Sequence, residues 1–152
     1  MTIKRFFVCA GIMGCLSLNP AMAEWTGDAR DGMFSGVVIT QFHTGQIDNK
    51  PYFCIEGKQS AGSSISACSM KNSSVWGASF STLYNQALYF YTTGQPVRIY
   101  YKPGVWTYPP FVKALTSNAL VGLSTCTTST ECFGPDRKKN SNLQKDEPNG
   151  RA

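Results

Sequence analysis

The sequence predicts a mainly β domain, a barrel of about five short strands around one central helix. Three observations carry this. Only residues 79–94, SFSTLYNQALYFYTTG, sustain helical periodicity: Phe80, Leu83, Tyr84, Ala87, Leu88 and Tyr91 recur at i, i+3, i+4, i+7, i+8 and i+11. Runs rich in β-branched and aromatic residues flank this stretch, three before it and two after it. Pro, Gly, Asn and Ser separate the runs. That element order is the order of an OB-fold, a small Greek-key barrel. Short strands with one helix also suit other α+β folds.

The elements follow in chain order. Residues 1–23 read as a secretory signal: Lys4 and Arg5 at the positive end, an apolar run from 6 to 18, then the small-residue site Ala21-Met22-Ala23. The apolar run is too short to span a membrane, and no later run is longer. A lipoprotein reading through Cys15 leaves Ala21-Met22-Ala23 unexplained. Residues 24–140 form the predicted domain. Its first strand is Val37-Val38-Ile39-Thr40-Gln41-Phe42-His43, followed by a turn at Asp48-Asn49-Lys50-Pro51. Tyr52-Phe53-Cys54-Ile55-Glu56 and residues 65–70 pair as a hairpin across a Gly/Ser/Lys loop. Ser79 or Ser81 is placed to cap the helix, and Gly94 to end it in the left-handed conformation. The helix carries no charge, so it is expected to be covered by its own sheet on one side and by a second subunit on another. Val97-Arg98-Ile99-Tyr100-Tyr101 is the fourth strand. Prolines exclude residues 105–110 from a central sheet position, and residues 111–115 read as a turn or edge piece. Ala119-Leu120-Val121-Gly122-Leu123 is the last strand. Residues 141–152 are polar and read as a disordered, appended tail.

Charge and cysteine content narrow the function. The formal charge of +5 falls by two when the leader with Lys4 and Arg5 is removed. Arg137-Lys138-Lys139 accounts for much of the rest and reads as a solvated tail, so nothing calls for a nucleic-acid partner. Of six cysteines, Cys54, Cys68, Cys126 and Cys132 remain after cleavage. An even count in a small exported domain reads as two disulfides, with three possible pairings. Cys54–Cys68 and Cys126–Cys132 are favoured because each closes a short polar loop. Zinc competes for the same thiols, but there is no Cys-x-x-Cys or Cys/His cluster.

Catalytic chemistry is sparse. The single histidine, His43, stands in mid-strand with no acidic residue near it in sequence, which is the setting of a packing or edge residue. No paired carboxylates, phosphate-cradling glycine loop or metal motif occurs, and no cofactor is implied. The expectation is a binding protein and not an enzyme. A secreted enzyme using His43 or an uncombined thiol is the first alternative. An OB-fold that binds a protein or a single-stranded nucleic acid is the second.

Six segments then carry a resemblance. Glu24-Trp25-Thr26-Gly27-Asp28, Gly45-Gln46-Ile47-Asp48, Pro51-Tyr52-Phe53-Cys54-Ile55, Tyr89-Phe90-Tyr91-Thr92-Thr93-Gly94-Gln95, Trp106-Thr107-Tyr108-Pro109 and Asn118-Ala119-Leu120-Val121-Gly122-Leu123-Ser124 together resemble the B subunits of the subtilase cytotoxin family. Typhoid toxin and other pertussis-like toxins share the pattern. It spans residues 1 to about 140, and the polar tail departs from it. The resemblance implies an OB-fold with two disulfides matching the local pairing, and a secreted homopentamer exported through the bacterial periplasm. It further implies binding of sialylated host glycoproteins or glycolipids, and a subtilase-type catalytic A subunit as partner. In such rings the helices line a central channel that the A subunit's tail enters.

The same resemblance implies a sugar site. Ser35 is its centre, donating its hydroxyl to the sialic acid carboxylate, with Asp31 and Met33 just upstream on one loop. Gln59, after the second strand, and Tyr101, at the end of the fourth, complete the pocket. Lys102 adds steering charge. A preference for the N-glycolyl form would rest on Tyr101 and the Met33 backbone. From the residues alone the plainer roles are a strand start for Ser35, core packing for Tyr101 and an ordinary loop side chain for Gln59. Trp106, Tyr108 and Phe111 read as packing or interface aromatics.

Overall fold

The computed structural model describes residue 26 and residues 32–136. The leader, Asp31, the basic run at 137–139 and the tail lie outside the described residues. The chain order is β1 (Met33–Ile47), β2 (Lys50–Lys58), β3 (Ser64–Met70), a 3-10 turn (Gly77–Ser79), α1 (Phe80–Thr93), β4 (Val97–Lys102), α2 (Pro109–Ala114) and β5 (Ala119–Thr125). The strands close into a barrel in the order β1-β2-β3-β5-β4, with the long helix between β3 and β4. This is the OB-fold arrangement.

Closure depends on β1, which has 15 residues and serves two neighbours. Its first part pairs with β4 (Met33↔Tyr100, Phe34↔Ile99, Val37↔Val97) and the rest with β2, from Val38↔Lys58 to Ile47↔Lys50. Irregularities at Phe34/Val37 and Ile39/Gln41 let the strand curl between the two. The β1–β2 turn uses Asp48 and Asn49 at φ 48° and 62°, the left-handed geometry of a two-residue hairpin. A parallel contact, Cys68↔Ala119, joins β3 to β5.

Strand β1 starts four residues earlier than the sequence suggests. Met33 and Ser35 therefore belong to a strand and not to a loop. The segment after Pro109 is a helix: prolines that bar a central strand fit the first helical turn, where an N–H has no partner anyway. Gly94 ends α1 at φ 67°, as its position predicted, but Ser79 makes no side-chain cap.

The barrel interior holds Val37, Ile39, Phe53, Ile55, Val97, Ile99 and Leu120, against which α1 packs Leu83, Ala87 and Phe90. Phe53 is completely buried, stacked on Phe42 at 5.6 Å and edge-on to Phe80 and Tyr84 at 5.5 and 5.4 Å. The buried stripe runs through Phe90, so Leu88 and Tyr91, assigned to the core face by periodicity, are exposed. With Tyr89 they give α1 an uncharged outer side. A second cluster joins Met70, Trp76, Tyr100, Trp106 and Phe111 around the Cys54–Cys68 bridge. The Trp106 indole donates to the Asn118 carbonyl at 2.9 Å, while Phe111 of α2 meets Tyr52 edge-on at 5.1 Å.

Both local disulfides form. Cys54 and Cys68 sit directly opposite in the β2–β3 ladder, and Cys126 and Cys132 close a loop after β5. The first bridge encloses a sequence separation of 14. Cys54→Ala/Cys68→Ala should lower the unfolding free energy by about 2–4 kcal/mol, mainly by freeing the unfolded chain. Guanidinium denaturation at fixed protein concentration measures this; an unchanged midpoint would show that the hairpin needs no cross-link.

Candidate functional site

Where β1 passes β4, two residues of β1, Ser35 and Gly36, face a single residue of β4, Arg98, because the register moves from Phe34↔Ile99 to Val37↔Val97. Gly36 takes φ 66°, a conformation glycine adopts without strain. The bulge turns Ser35 away from the regular ladder. Two side chains then hold it. Gln59 donates its amide Nε2 to the Ser35 carbonyl at 2.8 Å, and Arg98 donates Nε to the Ser35 hydroxyl at 2.8 Å.

Gln59 opens the β2–β3 loop, which is closed tightly by Gln59 N–H to Ser63 O and Gly62 N–H to Gln59 O, both 2.9 Å. Its amide oxygen keeps acceptor capacity after the bond to Ser35. Beside these residues lies a concavity of about 210 Å³, lined by Gly36, Gln59, Ser60, Ala61, Ser129 and Thr130. Its far wall is the loop held by Cys126–Cys132, whose Ser129 backbone lies directly over Gly36. No lining residue is ionised. Such a wall can read a polar ligand through hydroxyl, amide and backbone groups.

Arg98 is only 4% exposed and spreads its donors widely. Nη1 reaches the Tyr100 hydroxyl at 3.4 Å and the Pro135 and Gly134 carbonyls at 3.4 and 3.5 Å, and Nη2 pairs with Asp136 at 2.9 Å. The Tyr100 hydroxyl donates to the Pro135 carbonyl at 2.8 Å. A buried cation requires such partners.

The other expected residues lie further along the β1–β4 seam. Tyr101 donates its backbone N–H to the Gly32 carbonyl at 3.0 Å, and its ring covers Gly32, at φ 64°, so closely that no side chain fits there. The Tyr101 ring also packs against the barrel core, the plainer role that the residues alone give it. Met33 is half-buried against the second cluster. Lys102 is half-buried at the end of β4, opposite Ala119. The structure thus joins Ser35 to Gln59 directly; of the expected residues that are described, Gln59 lines the concavity, Ser35 adjoins it through Gly36, and Met33, Tyr101 and Lys102 lie further along the seam. Asp31 lies outside the described residues.

Arg98, Ser129 and Thr130 were missed by sequence reasoning. A signal existed for Arg98, the one charge within an otherwise apolar Val-Arg-Ile-Tyr-Tyr strand, since a charge so placed must find partners. The thiol alternative loses its groups, because Cys54, Cys68, Cys126 and Cys132 are all in disulfides. His43 is exposed and bonds Tyr52 at 3.1 Å. Among the described residues, no group of three or more His, Cys, Asp and Glu could hold a metal.

No protein-family model matches the chain. Solved structures do. One, described as the A-subunit of the AB5 toxin from E. coli with Neu5Gc-2,3Gal-1,3GlcNAc, is 99% identical over 77% of this chain and 100% of its own, with a TM-score of 0.75. A second, from work on subtilase cytotoxin SubAB assembly, is 96% identical over 74% of this chain and all of its own, TM-score 0.70. A third is the Salmonella typhi PltB homopentamer, as the T65I mutant with Neu5Ac-alpha-2-3-Gal-beta-1-4-GlcNAc glycans. It is 50% identical over 74% of this chain and 99% of its own, TM-score 0.71.

Proposed function

Because this chain belongs to the family of AB5-toxin subunits that includes those of subtilase cytotoxin and PltB, we propose that it is a receptor-binding B subunit. In this reading five copies form a ring, the ring binds sialylated glycans on host cells, and it delivers a subtilase-type protease A subunit. The chain is secreted through the periplasm after loss of residues 1–23 and performs no reaction itself. The observation that carries the proposal is a 99% identical relative, matched over its whole length, solved with a Neu5Gc-terminated trisaccharide. That relative bears an A-subunit label. The B role is assigned because an AB5 toxin has one A chain and five B chains, and the 50% identical PltB is a glycan-bound homopentamer. The uncharged outer side of α1, with Leu88, Tyr89 and Tyr91, suits contact with other chains of a ring.

The chemistry of the site supports the same reading. A sialic acid offers a carboxylate, a glycerol chain and an N-acyl group. The Ser35 hydroxyl serves as donor to the carboxylate and Gln59 as an amide beside it; the resemblance adds the Met33 backbone and the Tyr101 hydroxyl as partners of the N-acyl end, which in this reading extends past the concavity along the β1–β4 seam. Lys102, at the end of β4, adds steering charge, and the resemblance adds Asp31 to the set. An N-glycolyl group carries one hydroxyl more than N-acetyl. A site that hydrogen-bonds that hydroxyl gains about 1–3 kcal/mol from it, so the N-glycolyl form should be preferred. The neutral lining of the concavity offers little to a phosphate backbone, and the Arg98 cation is buried and paired.

A glycan array tests this. Wild-type protein should bind Neu5Gc-terminated glycans better than their Neu5Ac counterparts. Ser35→Ala should abolish binding to both while sedimentation still reports the ring. Retained binding by Ser35→Ala would refute the site, and a monomer in sedimentation would refute the ring.

A further inference from the structure

We propose that Arg98 is a positioning residue for the sugar carboxylate. It fixes the Ser35 hydroxyl as a donor and ties that hydroxyl to the chain segment at residues 134–136. The inference rests on the glycan-binding reading of Ser35.

A serine hydroxyl has one proton and two acceptor sites, and its proton rotates to suit the surroundings. Arg98 Nε, which can only donate, occupies one acceptor site of Ser35 at 2.8 Å. The proton is thereby excluded from that direction and turns toward the remaining side. A guanidinium behind the oxygen also polarises the O–H bond, and charge-assisted donors bind anions better than neutral ones. Ser35 alone already favours a carboxylate over an ester oxygen, because an ionised acceptor makes the stronger hydrogen bond, and a cation behind the hydroxyl widens that preference. Ser35 backed by Arg98 discriminates in favour of the anion.

The guanidinium is in turn held from the other side. The Gly134 and Pro135 carbonyls, the Asp136 carboxylate and the Tyr100 hydroxyl take its outer N–H groups. Gly134 fits so closely that a methyl group there would stand 2.7 Å from both Tyr100 Oη and Ser124 Oγ. Asp136 is exposed on its outer side while Arg98 is buried, so the segment acts as a clasp over the cation. An apolar side chain at position 98 could fill the same volume, and buried ion pairs are weak sources of stability. The geometry of Nε toward Ser35 gives the arginine a role that packing does not.

The test uses the assembled full-length protein and two ligands, a Neu5Gc-terminated trisaccharide and its carboxyl methyl ester. Arg98→Lys keeps the charge but cannot serve Ser35 and the clasp at once. It should weaken binding of the acid about tenfold and of the ester about twofold or less, so that the acid-to-ester ratio falls about fivefold or more. Tyr100→Phe removes one hydroxyl from the clasp and keeps the ring. It should shift the same ratio about two- to fivefold, and it decides the matter if Arg98→Lys fails to assemble. A purely structural role predicts equal losses for acid and ester, and that result, or wild-type affinity in both variants, overturns the inference. Ser35→Ala is the control: if it binds normally the glycan reading fails, whereas if it does not bind and the ratio stays constant only the role of Arg98 fails.

Discussion

Phe53→Ala should lower the unfolding free energy by about 3–5 kcal/mol, the range for a fully buried phenylalanine cut to a methyl group. Phe53 has no exposed surface and sits where β1, β2 and α1 meet. Its ring stacks on Phe42 of β1 at 5.6 Å and receives Phe80 and Tyr84 of α1 edge-on at 5.5 and 5.4 Å. Truncation leaves a cavity and removes aromatic contacts beyond the lost area, since paired rings add about 0.5–1.5 kcal/mol. Because the helix loses its anchor, the variant should also lose near-UV aromatic dichroism before its far-UV signal. Denaturation at fixed protein concentration is required, since assembly shifts the apparent midpoint. A cost below about 1.5 kcal/mol would mean that α1 is held mainly by Leu83, Ala87 and Phe90 and not through this ring.

Gly36→Ala carries the second large effect, about 2–4 kcal/mol, from two sources. At φ 66° an alanine pays for the left-handed conformation. Its methyl group would also stand 2.2 Å from the Ser129 carbonyl oxygen, and backbone cannot rotate out of the way as a side-chain tip can. Either β1 or the loop closed by Cys126–Cys132 must move, and the two form opposite walls of the concavity. Gly94→Ala separates the sources: φ is 67° there and nothing lies within 4 Å. It should cost only about 1 kcal/mol. Equal melting shifts in the two variants would show that Ser129 does not press on the strand. A larger shift for Gly36→Ala, with glycan binding lost alongside, would show that the wall of the site is built on that glycine.

Elements with a regular local pattern were legible in the sequence. The helix, the turn after β1 and the two short cysteine loops are encoded by residues a few positions apart; the helix and loops form where read, while the turn is tighter than the four residues 48–51 suggest, since Lys50 and Pro51 already belong to β2. Irregular backbone was not. The bulge at Ser35-Gly36 breaks strand alternation and carries a glycine, so the start of β1 looks like a loop. Pro109-Pro110 looks like an interruption, yet it starts α2. Leu88 and Tyr91 belong to the apolar periodicity of α1, but the barrel touches a narrower stripe that ends at Phe90.

The sequence by itself determined the order of the strands and the long helix, the uncharged character of that helix and the likeness that pointed to Ser35, Gln59 and Tyr101, and it favoured the two local cross-links among three pairings. Only the tertiary structure decided how the barrel closes and what surrounds Ser35. It put Arg98, 63 residues away, on the hydroxyl, Gln59, 24 away, on the carbonyl, and Pro135 37 residues beyond Arg98. It also turned the Tyr101 ring toward Gly32 and the core. The physical reason is range. Periodicity and turn chemistry report on neighbours within a few residues, whereas the groups at Ser35 meet through barrel closure and strand register, where a single bulged residue redirects every side chain after it.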